Sequence, residues 1–532
     1  MNDSKKAVEK LEIDKILYFF PIVIILSACV YLGFNLEKAN NIINVIFAYI
    51  TGNFSWFYQF FTFGCLAVCI YLIFGKYGSM RFGDEKPEFS TFSWLSMIFT
   101  AALGGSLVLW ATIEPFYYVM GPPFGVEAYS YEAYQWATTY PLFHWGFTGN
   151  SMYCALGVTF AYMFWVRKKD VNRASTACAL VLGDKVTSGW AGKIIDILLI
   201  ISIVGGIATT LGLSTPLASE LIVALFGIPR TLTMDIALII FWVILISITV
   251  YSGLNKGIRI VSNVRMWLIF GILGYIFLVG PKVFMLNNFC EGLGNMMNDF
   301  FKMSFYTEPF GNPDFNGFPQ WWTIFYWAWW ASYASQMGIY FARISKGRTV
   351  RSFCLAILTA TGLGVWIFFA VFGNYTLHAF INEKLPQLPD ILNNAGNAAA
   401  VVHVWESLPL PTLVLSAILL LTILATITLL NGSAYTLAML STKKLTGEQE
   451  PAGWNRISWV LVLGTLALIL MAIGGLKAVQ TSSVLVSFPM LFIFIIIIAG
   501  FFKVTRDDNW GNLNGKTTQN IVAKTDSEST NI

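Results

Sequence analysis

Twelve apolar runs, each close to the roughly 20 residues a helix needs to cross a hydrocarbon core, constrain this chain more than anything else in it. They start near Ile16, Ser55, Thr91, Thr138, Lys193, Thr231, Ile260, Trp321, Arg351, Pro411, Ile457 and Thr481. The expectation is an all-α polytopic membrane protein with 12 transmembrane helices. Composition agrees: of 532 residues 56% are hydrophobic and only 12% charged, with a mean hydropathy of +0.65, outside the range of a soluble domain.

The connections alternate in charge. Lys5, Lys6, Lys10 and Lys15 precede the first run, and basic residues follow runs two (Lys76, Arg81, Lys86), four (Arg167, Lys168, Lys169, Arg173) and six (Lys256, Arg259). The same holds after runs eight (Arg343, Lys346, Arg348, Arg351), ten (Lys443, Lys444) and twelve (Lys503, Arg506). The intervening loops are poor in Lys and Arg; 121–135 has neither. The positive-inside rule then puts both termini in the cytoplasm. Only 1–15 precede the first run, and 16–34 is too long for a signal-peptide core and lacks a small-residue cleavage site, so the first helix is expected to stay in the mature protein. Two intervening stretches, 284–303 and 381–408, mix apolar and polar residues and are expected as helices along the outer surface. The tail after Asp507 is polar and expected to be disordered.

Phe325–Phe341, FYWAWWASYASQMGIYF, packs Trp327, Trp329 and Trp330 into four positions. On a helix Trp329, Tyr333 and Met337 fall at i, i+4 and i+8, and Trp330 shares their broad face. Electron-rich rings suit a methylated ammonium, which has no N–H to give a carboxylate; each ring contributes about 0.5–2 kcal/mol when desolvated. The alternative is an interfacial aromatic belt, but belts sit at helix ends and these residues sit in the middle of a run. In run three, Gly104, Gly105 and Ser106 interrupt a helix where unwound backbone survives only if it lines a cavity or is buried in protein. Free N–H and C=O groups there would serve a substrate. Runs three and eight lie five apart, the offset of two inverted repeats (spans 3–7 and 8–12) preceded by two additional helices.

Other residues narrow the classes. Seven cysteines, at 29, 65, 69, 154, 178, 290 and 354, show no metal-ligand spacing and read as small membrane hydrophobes. No metal or cofactor is expected. The net charge of +4 reflects loops and not a nucleic-acid surface. No run carries paired acids or His/Cys clusters suited to hydrolysis, and no ring-forming selectivity motif is present, which argues against an enzyme and a channel. Glu114 is a lone acid, either a proton-coupling site or a group paired within the bundle. His144, beside Trp145, reads as orienting the ring or loop and not as titrating.

IEPFYYVMGPPFG (113–125), LFHWG (142–146), GLNKGIRIVSNVR (253–265) and FYWAWW…QM…ARISKGRTVR (325–351) resemble the betaine/choline/carnitine transporter family over nearly the whole membrane region. The likeness is strongest to its sodium-independent members that exchange L-carnitine for γ-butyrobetaine. The resemblance implies a homotrimeric carrier in the plasma membrane of a bacterial-type cell, with the LeuT-like core fold shared with sodium-coupled amino-acid transporters. Its implied parts are 1–15 (cytoplasmic), 16–90 (two added helices), 91–288 (first repeat), 289–320 (external amphipathic helix and loop), 321–506 (second repeat) and 507–532 (tail). It also implies an aromatic box of Tyr117, Trp145, Trp329 and Trp330, adjoined by Tyr333, around a small-molecule trimethylammonium substrate. Met337 stands where a sodium site would be, Arg265 stands in for a second sodium, and Trp322 matches a secondary outer position. A Thr-Ser pair of sodium-dependent relatives aligns with Thr428 and Leu429, so one hydroxyl is missing. Arg265 could instead snorkel at the end of run seven. Gly104-Gly105-Ser106 and Pro115 are closer to betaine carriers, which keeps open sodium- or proton-coupled uptake of glycine betaine or choline for osmoprotection.

Overall fold

A computed structural model describes residues 12–102, 106–169, 172–251, 255–310, 317–443 and 450–510. The expected disorder after Asp507 falls largely on 511–532, and Gly104 and Gly105 on 103–105, outside the described residues. Twenty α-helices carry the fold, with two isolated bridges and no sheet among the described residues. In order they are α1 Lys15–Phe34, α2 Leu36–Phe74, α3 Thr91–Ala102, α4 Leu107–Met120, α5 Tyr131–His144, α6 Phe147–Trp165 and α7 Ala174–Leu182. Then come α8 Asp184–Thr187, α9 Trp190–Phe226, α10 Leu232–Tyr251, α11 Asn255–Val279, α12 Lys282–Asn298 and α13 Phe300–Ser304. The chain closes with α14 Phe325–Arg343, α15 Val350–Phe368, α16 Asn374–Ile381, α17 Leu388–Asn394, α18 Asn397–Glu406, α19 Pro411–Leu440 and α20 Gly453–Asp507. Single π-helical turns at Pro319–Ile324 and Phe369–Gly373 lead into α14 and out of α15.

Seven helices among the described residues are long and apolar enough to cross a membrane, eight if the pair bent by 108° at Val264–Val279 and Lys282–Asn298 is one span. Several of the remaining expected runs are interrupted. α5 and α6 are separated by Trp145 and Gly146, while between the end of α3 at Ala102 and the start of α4 at Leu107 lie 103–105, outside the described residues. The second run starts earlier than its sequence suggests, because α2 has 39 residues. Its polar positions are absorbed by the helix itself: Thr51 donates to the Phe47 carbonyl at 2.8 Å, Asn53 to that of Tyr49 at 2.8 Å and Ser55 to that of Thr51. A side chain bonded back to i−4 does not break a helix in lipid.

Contacts between chain segments sort the loops onto two faces. Arg81 donates to the Gly347 carbonyl (2.9 Å), Arg348 to that of Phe89 (2.6 Å) and Arg351 to that of Ile73 (2.9 Å). Arg343 reaches Asn172 (2.6 Å) and Arg173 the Thr442 carbonyl (3.0 Å). Asp14 ties the start of the chain to this face through Arg173 at 3.3 Å, Lys193 and the Ser441 carbonyl. Burial pushes the Asp14 carboxyl up, but the Lys193 hydrogen bond and the Arg173 and Lys193 charges outweigh it and leave the group below its ordinary range. Five of the basic segments thus meet on one face. On the other, the Phe124 N–H donates to Tyr306 (2.8 Å) and Gln135 to Glu291 (2.8 Å).

The 55-residue α20 would measure roughly 80 Å if straight. Yet Asn455 near its start donates to the Ala438 carbonyl (3.2 Å) and to Ser441, on the basic face, and Asp508 just past its end pairs with Arg167 at 2.9 Å on the same face. Gln480 in between donates to the Trp321 carbonyl at 2.9 Å, at the opposite end of α14 from Arg343. The element therefore doubles back, and its apolar stretches Gly453–Ala472 and Gln480–Asp507 run in opposite directions.

Cysteines placed at Glu450 and Asp507, each about half exposed, should react with a membrane-impermeant maleimide from the same side. A cysteine at Tyr131, 75% exposed, should react from the other. The background needs only Cys290 replaced, since the other six cysteines are buried. Labelling of Glu450 and Asp507 from opposite sides would refute the doubled-back element.

Candidate functional site

Pro141 and Gly146 determine where the aromatic core meets. Pro141 lies inside α5, and a Cβ on Gly146 would collide with the Leu142 carbonyl oxygen, so the chain turns at a position only glycine tolerates. The break satisfies its own backbone: the Trp145 N–H donates to Pro141 (3.0 Å), the Gly146 N–H to Phe143 (3.3 Å), and Asn150 Nδ2 to the Gly146 carbonyl (2.8 Å). Trp145 is thereby aimed at the middle of α14.

There it meets Trp330 edge to face, centroids 4.7 Å apart at 83°, and Trp329 at 5.9 Å and 83°. Trp329 and Trp330 contact each other at 5.8 Å and 75°. All three are buried, Trp329 and Trp330 at 4% and 7% exposure, which rules out an interfacial belt. Tyr333, one turn on, donates to the Gly206 carbonyl of α9 (2.8 Å) and accepts from Thr210 (2.8 Å).

These rings wall a cavity of about 80 Å³, several times the volume one water needs. Ser106 and Leu107 at the start of α4, Trp145, Trp329, Trp330, Tyr333 and Met337 line it, with Ala101, Asn150, Tyr153, Thr210, Val365 and Leu429. No Asp, Glu, Lys, Arg or His is among these residues. The indole Nε1 donors of Trp329 and Trp330 have no partner among the described residues. The chamber therefore offers ring faces and a few donors, and no fixed charge in its wall.

Tyr117 and Trp322 form a separate pair. Their rings are 5.1 Å apart, the Tyr117 hydroxyl donates to Asn397 of α18, and neither lines the cavity. Arg265 is buried on α11, at 9% exposure, and its Nε has no partner among the described residues. It is not a wall residue; α11 packs on α19, which carries Leu429. The Thr428 hydroxyl is spent on the Leu424 carbonyl at 2.7 Å.

Glu114 was legible only as an isolated acid. It is fully buried behind the cage, accepting from Trp145 Nε1 at Oε2 (2.9 Å), from Tyr118 at Oε1 (2.8 Å), and from Tyr326 at Oε2. His144 Nδ1 stands 3.0 Å from the Tyr118 hydroxyl and Nε2 3.1 Å from Thr323. Sequence spacing could not have joined residues from α4, α5 and α14.

The family model described as BCCT, betaine/carnitine/choline family transporter, matches residues 16–509. The cage and fold thus sit in a membrane carrier, and the chain belongs to the betaine/carnitine/choline transporter family. Its members move quaternary ammonium compounds of the betaine, choline or carnitine type across a membrane and are not enzymes.

A Cβ on Gly149 would lie 2.6 Å from Trp330 Nε1 and 2.7 Å from its Cδ1, closer than packed atoms tolerate. Gly149→Ala should therefore displace the Trp330 indole and weaken binding of a trimethylammonium ligand at least tenfold, about 1.4 kcal/mol, read by titration calorimetry on purified protein. Unchanged affinity would mean that Trp330 does not shape the binding site.

Proposed function

We propose that the protein is a sodium-independent antiporter exchanging L-carnitine for γ-butyrobetaine or a related betaine. The observation that carries this is the uncharged, indole-walled cavity with Met337 and Leu429 in its lining. Three indole faces, at about 0.5–2 kcal/mol each when desolvated, can hold a trimethylammonium group without a carboxylate partner. A thioether and an isobutyl group are poor ligands for sodium, a hard cation that wants oxygen.

In this reading Trp145, Trp329, Trp330, Tyr333 and Met337 contact substrate in the chamber, and Tyr117 with Trp322 marks an outer station on the way in. The substrate carboxylate is met by the free indole N–H groups and by the chain at Ser106; Gly104 and Gly105, which precede it in sequence, lie outside the described residues. Arg265 is the permanent charge replacing a diffusible cation. A buried arginine in a membrane interior costs about 2.5–3.5 kcal/mol on insertion scales, and a role in the core accounts for its retention. Exchange arises because the empty carrier reorients slowly, and a ligand drives conversion only by its differential affinity for the two states.

The topology proposed with it has twelve crossings, both termini cytoplasmic, in the plasma membrane. Residues 16–90 form two added helices, 91–288 and 321–506 are inverted repeats, 289–320 lie outside, and 1–15 and 507–532 lie in the cytoplasm. The doubled-back α20 already gives two of the seven uninterrupted crossings; the shorter and bent helices would have to supply the rest, and the clustered basic segments give the positive-inside rule one face to act on. A homotrimer completes the proposal. Gly104-Gly105-Ser106 and Pro115 favour a second reading, ion-coupled uptake of glycine betaine or choline.

Proteoliposomes loaded with γ-butyrobetaine should take up labelled L-carnitine without sodium, whereas empty vesicles should take up little. Arg265→Glu should abolish that exchange or make it depend on sodium. Wild-type uptake that requires an external sodium or proton gradient would establish the second reading.

A further inference from the structure

Glu114 has a more specific part in the cage than filling space behind it. Its two oxygens receive three donors: Tyr118 at Oε1, Trp145 and Tyr326 at Oε2. A consistent assignment of protons runs from the Thr323 hydroxyl to His144 Nε2, from His144 Nδ1–H to the Tyr118 oxygen, and from the Tyr118 hydroxyl to Glu114 Oε1. Every proton in that chain points toward the carboxyl group, as suits its ionised form. Among the described residues no Lys or Arg lies within ion-pair distance of it; His144 Nδ1, at 3.7 Å, is the nearest basic atom. A charge this deep without a countercharge is costly, and such residues in membranes mark function.

We propose that the Glu114 carboxylate, acting through the Trp145 indole N–H, makes the cage select a cation over a neutral group of the same shape. An indole that donates to a carboxylate has negative charge pushed toward its ring, so its face attracts a cation more strongly. The same bond fixes the ring edge-on to Trp330. The substrate's ammonium then supplies the countercharge that the protein withholds, and Glu114 is a positioning and specificity residue that never touches the ligand. This rests on the cavity being the substrate site.

The test compares two ligands identical except that the trimethylammonium nitrogen of one is carbon in the other, giving a neutral tert-butyl group. Binding of each is measured by calorimetry on the full chain in detergent. Wild type is expected to prefer the cation by a large factor; equal affinities would defeat the cage reading itself. Glu114→Gln keeps the shape and an acceptor oxygen but removes the charge, and should lower the cation-to-neutral affinity ratio at least tenfold. Glu114→Asp should retain most of the ratio even where both affinities fall. A merely structural role would weaken both ligands alike in Glu114→Gln and leave the ratio unchanged, which would overturn the proposal. Should Glu114→Gln fail to accumulate, Tyr326→Phe leaves Oε2 to Trp145 alone and should keep or raise the ratio; a fall there would equally overturn it.

Discussion

The edge-to-face contact between Trp145 and Trp330 is the interaction on which the rest depends. It joins a break between two helices to the centre of a third, where glycine at 149 leaves room for the Trp330 indole and glycine at 146 leaves room for the Leu142 carbonyl. Such a pair contributes about 0.5–1.5 kcal/mol beyond its area, too little to organise a membrane bundle. Its importance is geometric, because it seats Trp145 against the α14 face whose Trp329, Trp330, Tyr333 and Met337 line the chamber. In lipid a helix break is tolerated only if its freed backbone finds partners, and Asn150 and the turn at Trp145 provide them.

Rigid ends complement this irregular centre. The basic segments are fixed to carbonyl groups and acids of other loops: Arg348 to Phe89, Arg167 to Asp508, Arg173 to Asp14 and Thr442. Individually, partly exposed ion pairs contribute little, but here each arginine ties segments distant in sequence to one face. The aromatic chamber is held between that face and the opposite one, where Tyr117 and Trp322 pair beside α18.

Much of the chamber was legible because one helix carries it. The i, i+4, i+8 spacing of Trp329, Tyr333 and Met337, with Trp330 alongside, predicts a shared face, and all four line the cavity. The family fragments pointed to Trp145 but not to the break that aims it, since Pro141 and Gly146 are tolerated within membrane helices as well as between them. The grouping of Tyr117 with the box did not extend to the cavity lining; a short distance in a motif does not fix which side of a helix a ring takes. Glu114 was visible, and Tyr118 stands four residues on along the same helix, but Trp145 and Tyr326 reach it only after three helices pack. The length of α2 was hidden by Thr51, Asn53 and Ser55, whose polarity suggests a loop until their bonds to i−4 carbonyls are seen.

The most direct measurement is a cryo-electron-microscopy structure with a trimethylammonium zwitterion bound. The account predicts its nitrogen within about 6 Å of ring centroids of Trp145, Trp329 and Trp330, with Glu114 still bonded to the Trp145 indole. A ligand nitrogen resting against Tyr117 and Trp322 in every particle class, with the inner chamber collapsed, would contradict it.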